Sequence, residues 1–121
     1  MLNVIITLIK LQEQIRILHW QTKIFSRHKA YGKAYDELGE LLDELVETYQ
    51  GKYGRFVFQQ QTIDLNDLDN VTVTELLDTT LNALQVELTS VVDAIRDTDI
   101  LNIRDSIVGF INRFKYLLTL K

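Results

Sequence analysis

Apolar residues recur every three or four positions in four separate stretches of this 121-residue chain, and no proline interrupts any of them. A 3.6-residue period without a helix breaker commits the chain to amphipathic helices. The first stretch runs roughly from Leu2 to Phe25, with Val4, Leu8, Leu11, Ile15 and Leu18 on one face. The second runs roughly from Arg27 to Gln50, carrying Tyr31, Tyr35, Leu38, Leu42, Leu45 and Tyr49, and Gly51 is its expected stop. The third begins at Thr72, where Thr72-Val73-Thr74-Glu75 reads as a capping box, and continues through Leu77, Leu81, Leu84, Leu88, Val91 and Ile95. The fourth runs roughly from Ile100 to Leu120 behind Thr98 or Asp99 as N-cap, with Ile103, Ile107, Phe110, Phe114 and Leu117 in line.

The connections decide how four helices assemble. Very little chain joins the first two, around Ser26, and the last two, around Arg96 to Thr98. Short links make antiparallel neighbours. The stretch from Gly51 to Val71 is long for a loop inside a compact domain. Within it, "GRFVFQQQ" suits a short strand or an extended segment, and "IDLNDLDN" a single helical turn. The expectation is all-α: one domain over 1–121, a four-helix bundle of the ferritin-like kind with a long crossover between helices two and three.

Composition removes several functions. With no cysteine, disulfides, thiolate catalysis and cysteine-zinc sites are excluded, which fits a reducing, cytoplasmic setting. A net charge of −4 gives no general attraction to nucleic acid, and no lysine-rich tail or basic helix is visible. Lys29, Lys33 and Arg27 make a local patch at most. Lys10 and the polar residues after it interrupt the apolar start, so neither a signal peptide nor a membrane span is expected.

Helix one carries a second apolar line, Ile6, Ile9, Ile17, Trp20 and Ile24, well away from its core stripe. A helix apolar on two faces is buried on two sides. Either the crossover covers the second face or another subunit does. A patch of this size favours the subunit.

Both histidines, the only tryptophan and a dense set of carboxylates fall between Leu18 and Glu47. His19 lies at the seam of the two stripes of helix one. Asp36, Glu40, Asp43 and Glu47 follow at steps of four, three and four, which aligns four carboxylates along helix two. Such neighbours repel one another unless water or a cation intervenes. Imidazole with carboxylates is a ligand set for iron, manganese or zinc. On composition and spacing alone, packed histidines and a solvated acidic face account for the same residues more simply. The Glu-x-x-His pairs of di-iron bundles are absent, with Arg16 three residues before His19 and Phe25 three before His28, so no di-iron site is expected inside the chain's own core. No glycine-flanked serine or phosphate-binding glycine loop is present.

The order "HW" near the end of helix one, a second histidine, then Asp and Glu far down helix two resembles the Dps-type mini-ferritins. In that family the two acids lie fifteen and nineteen residues after the second histidine; here those positions are Asp43 and Glu47. Tyr35, Gly39 and the closing "DILNIRDSIVGFINRFKYLLTL" also resemble the family, as does the helix order. The resemblance implies an intersubunit ferroxidase site, with His19 and His28 from one subunit, Asp43 and Glu47 from its partner, and Trp20 beside it. It implies Fe2+ as the bound metal, with zinc or manganese as substitutes, and storage of oxidised iron in a homo-oligomeric cage, a dodecamer built from two-fold dimers. The departures are specific. Gly32 stands where the family has a third ligand, an aspartate, and Asp36 one turn on is the available replacement. Only eight residues separate His19 from His28, fewer than is usual in the family, and the chain is shorter than typical members. "ETYQGKYG" is similar to small Dps-like proteins of phages and other large DNA viruses. The other expectation is therefore a bundle that has lost the activity and serves as a structural, virion or assembly component, in the host cytoplasm or the virion.

Overall fold

The structure, a computed structural model, describes residues 1–120, and among them all regular structure is helical. Helix α1 spans Leu2–Gln21 and α2 spans Phe25–Tyr53. Helix α3 joins Asn70–Asn82, a π-helical turn Ala83–Glu87 and a last turn Leu88–Val91. Helix α4 spans Thr98–Leu118.

Contacts between helices fix their directions. Gln12 donates to the Tyr35 carbonyl at 3.4 Å and His19 meets His28, so α1 and α2 are antiparallel. Arg113 pairs with Glu37 and Lys52 with Asp99, so α2 and α4 are antiparallel too. Lys115–Asp78 and Arg104–Thr89 give the same relation between α3 and α4. Helices α2 and α3 therefore point the same way, and the chain must return along the molecule between them. Sixteen residues, Gly54 to Asp69, do this. Extended, they reach about 55 Å, against about 43 Å for a helix as long as α2. A segment that must cover such a distance stays extended. No strand forms in "GRFVFQQQ" and no helical turn in "IDLNDLDN".

Side-chain amides fasten this crossover to α1. The Gln14 Nε2 donates to the Asn66 carbonyl at 2.8 Å, and the Asn66 N–H donates back to Gln14 Oε1 at 3.0 Å. Gln21 repeats the pattern with Leu68, at 2.8 and 3.0 Å. Two glutamines seven apart thus do for alternate crossover residues what a neighbouring strand would do. Gln14 is buried, and this double bond satisfies its amide.

The anticipated stripes form one core, with Val4, Leu8, Leu11, Ile15, Leu18, Leu38, Leu45, Leu77, Leu84, Leu88, Ile107 and Phe114 all buried. Val91 and Ile95 are exposed, because α3 ends at Val91 and Ile95 falls in the link to α4, and Leu117, in the last turn of α4, is exposed as well. The capping box sits one turn earlier than expected. The Thr72 N–H donates to Asp69 Oδ1 at 2.8 Å, and the Asp69 N–H donates to Thr72 Oγ1 at 2.9 Å. The Thr72 N–H, helped by the Thr72 hydroxyl, holds the Asp69 carboxyl below its ordinary pKa. Helix α2 passes through Gly51 and stops at Gly54, whose φ of 92° suits only a residue without a Cβ.

The far end of the molecule is closed by charge. Asp97, fully buried at the start of α4, accepts from Tyr53 Oη at 2.7 Å, Lys52 Nζ at 3.0 Å and the Asp93 N–H at 2.7 Å. The Asp93 N–H, then Tyr53, then Lys52 pull its carboxyl down from 3.8 to about 2. Lys52 also reaches Asp99 at 2.9 Å and the Arg96 carbonyl.

Candidate functional site

The two histidines meet because the α1–α2 link is only Thr22 to Ile24. Helix α1 ends with the Thr22 N–H on the Leu18 carbonyl, which leaves the next carbonyl, that of His19, without a helical donor. The His28 ring supplies one: its Nδ1 lies 2.7 Å from the His19 carbonyl. His19 returns the contact, with Nδ1 at 2.6 Å from the His28 carbonyl. A carbonyl accepts only, so both Nδ1 atoms carry hydrogen, and in the neutral ring each Nε2 keeps its lone pair. The rings stack at a centroid distance of 3.7 Å and 16° between planes.

That stack limits the chemistry. A metal lies in the plane of the imidazole that ligates it, and two nearly parallel planes do not converge on one ion. As arranged, the pair offers two separate nitrogen ligands rather than a chelate. Gly32 belongs to the same geometry. A Cβ there would stand 3.0 Å from His19 Cε1 and 3.2 Å from its Nδ1. The ring thus fills the space that an aspartate side chain at this position would need.

Beside the stack is a cleft of about 420 Å³ lined by Arg16, His19, Trp20, Gly32, Tyr35 and Asp36. Asp36 therefore shares the cleft with His19, although neither histidine bonds to it. Arg16 was not anticipated. Its guanidinium lies 4.5 Å from the centre of the Tyr35 ring and 5.8 Å from that of Trp20, and it bonds to the Tyr35 hydroxyl and faces Glu13 at 3.2 Å. The spacing Glu13-x-x-Arg16-x-x-x-Trp20 was the available signal, since all three lie on one side of α1.

Asp43 and Glu47 are exposed and far along α2 from the histidines of the same chain. Among the described residues, Asp36, Glu40, Asp43 and Glu47 take part in no ion pair or side-chain hydrogen bond. No group of three or more potential metal ligands forms within the described residues of one chain. On the second stripe of α1, Ile6, Ile9 and Ile17 are half-buried, whereas Trp20 is 67% and Ile24 54% exposed. That stripe is therefore half-buried along most of α1 and open at the end beside the histidines. No helix is long and apolar enough to cross a membrane among the described residues.

No solved structure matches the chain. A protein of Enterobacteria phage T4, described as an uncharacterized 14.6 kDa protein in the mobD-ri intergenic region, is 32% identical over 103 residues, covering 85% of this chain and 75% of its own. Residues 19–118, from His19 to the last turn of α4, match a family of unknown function, DUF5856. The chain belongs to DUF5856.

Proposed function

We propose that the chain is a mini-ferritin-like subunit whose iron site is completed when two copies meet. His19 and His28 each present an Nε2, and Asp43 and Glu47 of the partner subunit supply the carboxylates. Fe2+ is the substrate, one ion to each imidazole; each ion gives one electron to dissolved dioxygen as the oxidant, and the Fe3+ product is stored in a homo-oligomeric cage. Zinc or manganese would occupy the same ligands. The observation that carries this reading is the row of unpaired carboxylates on α2. Four exposed acids kept in line repel one another by about 0.2–0.5 kcal/mol per neighbouring pair, a repulsion that a bound cation would turn into attraction. The helix directions, with α2 and α3 parallel and a full-length crossover between them, suit a ferritin-like bundle. The phage relative supports placing the chain in the cytoplasm of an infected cell or in a virion.

A second reading is favoured by one observation. Each histidine already has a structural task, since the pair closes the α1–α2 hairpin and Gly32 carries no ligand. On that reading the bundle is an interaction component without redox activity.

Metal-dependent stability separates the two. Metal that binds only the folded protein raises stability by roughly 2.7 kcal/mol at a hundredfold excess over its dissociation constant. Thermal unfolding with anaerobic Fe(II), and with Zn(II) as a redox-silent control, should show this rise in the parent chain. It should be largely lost in the Asp43→Asn/Glu47→Gln variant and kept in Glu40→Gln. A parent chain that gains nothing from either metal leaves the structural reading.

A further inference from the structure

A cavity of about 490 Å³ opens at the end of the molecule where α1 finishes and α2 and α3 begin, a size usual for small-molecule sites. Its floor is apolar: Leu18, Val73 and Leu77 line it and are buried members of the core. Arg27 and Lys115 also line it, and among the described residues no carboxylate does. Arg27 spends one donor on the Leu120 carbonyl at 3.1 Å. Lys115 spends one on Asp78, in an exposed pair of the kind that contributes little. Both keep donors for a ligand. Tyr31 completes the set. It is only 6% exposed, it lines this cavity, and among the described residues its hydroxyl has no side-chain hydrogen-bond partner. The hydroxyl is not shut away from solvent, so it can exchange water for a ligand acceptor. The metal reading uses none of these residues.

We propose that this cavity binds a single-chain amphiphile with an anionic head, an alkyl carboxylate. The alkyl body lies on Leu18, Val73 and Leu77, and the carboxylate meets Arg27, Lys115 and the Tyr31 hydroxyl. Two cations with no acid in the lining select the sign of the head group, and the apolar floor selects its body.

Octanoate is a suitable probe, titrated calorimetrically into the full chain with octylammonium and octan-1-ol as partners of the same length. Octanoate should bind, octanol more weakly, and octylammonium not at all. Arg27→Gln with Lys115→Gln should weaken octanoate by roughly tenfold or more and leave octanol unchanged. Tyr31→Phe should weaken octanoate a few-fold. Thr74→Trp, an exposed position on the cavity lining, should block both ligands while preserving the helical spectrum. Octylammonium binding as well as octanoate, or Thr74→Trp binding as the parent does, would overturn the proposal. So would co-sedimentation with phosphatidylglycerol vesicles without any binding of octanoate, which would assign the cations to a membrane surface.

Discussion

Gly32 and His19 occupy one another's space: the imidazole of His19 lies where a Cβ on Gly32 would come to 3.0 Å of Cε1. A glycine inside a helix normally costs up to about 1 kcal/mol relative to alanine. Gly51, with nothing within 4 Å of its would-be Cβ, should show that gain when changed to alanine. Gly32→Ala should not. The His19 ring must give way by a few tenths of an ångström, and it is held by its stack on His28 and its bond to the His28 carbonyl, so the helix-propensity gain should be offset or reversed. Urea midpoints of the two variants test the contrast. Gly32→Asp should unstack the rings, visible as a shift of the His19 Cε1–H resonance. An unchanged resonance would show that the glycine is incidental.

Acid should open the end held by Asp97. Its carboxyl is depressed to about 2 in the folded protein, against an ordinary 3.8, by the Asp93 N–H, Tyr53 and Lys52. A depressed acid stabilises the fold above its unfolded value, and the contribution is lost as pH falls from about 4 through about 2. Lys52 is raised above 10.5, first by Asp99 and then by Asp97, so its contribution is present below that value and is lost as pH rises through the raised one. Asp97→Asn should therefore lower stability at neutral pH and flatten its decline between about pH 4 and 2. Denaturant unfolding across that range checks it, and parallel curves for parent and variant would contradict it.

The crossover should loosen when its glutamine clips are removed. Gln14→Leu keeps an apolar body in a buried site but leaves the Asn66 N–H and C=O without their partner. The expected cost is about 1–3 kcal/mol. Gln21→Leu should cost less, because its site is exposed and water replaces the lost bonds. Native-state hydrogen exchange should show the Asn66 amide unprotected in the first variant and the Leu68 amide in the second. Unchanged protection would mean that packing alone holds the segment.

Trp20 and Ile24 should be buried by a second copy of the chain. The double change Trp20→Glu with Ile24→Glu should dissociate the oligomer and leave the helical spectrum intact, since neither side chain belongs to the core. Mass in solution at micromolar concentration measures this. A parent chain that is monomeric there removes the interface and, with it, the shared metal site.

The helices were legible in the sequence because their cause is local. A 3.6-residue apolar period without proline determines four amphipathic helices, and short links determine antiparallel pairs, although the links expected around Ser26 and around Arg96 to Thr98 lie at Thr22 to Ile24 and Val92 to Asp97. The anticipated core residues of α1 are all buried for that reason. Helix ends were less legible. Thr72 reads as an N-cap by composition, yet Asp69 takes the place because its carboxylate meets the Thr72 N–H and Thr72 answers it. The histidines could be named but not arranged. Only the folded hairpin brings His19 and His28 into a stack, ties both Nδ1 atoms to carbonyls and fills the space beside Gly32. Arg16 with Tyr35, Gln14 with Asn66 and Lys52 with Asp97 lie 19, 52 and 45 residues apart. Periodicity reports which face of a helix is apolar. It carries no record of which polar side chains meet across two helices, because that depends on the direction and offset at which the helices pack.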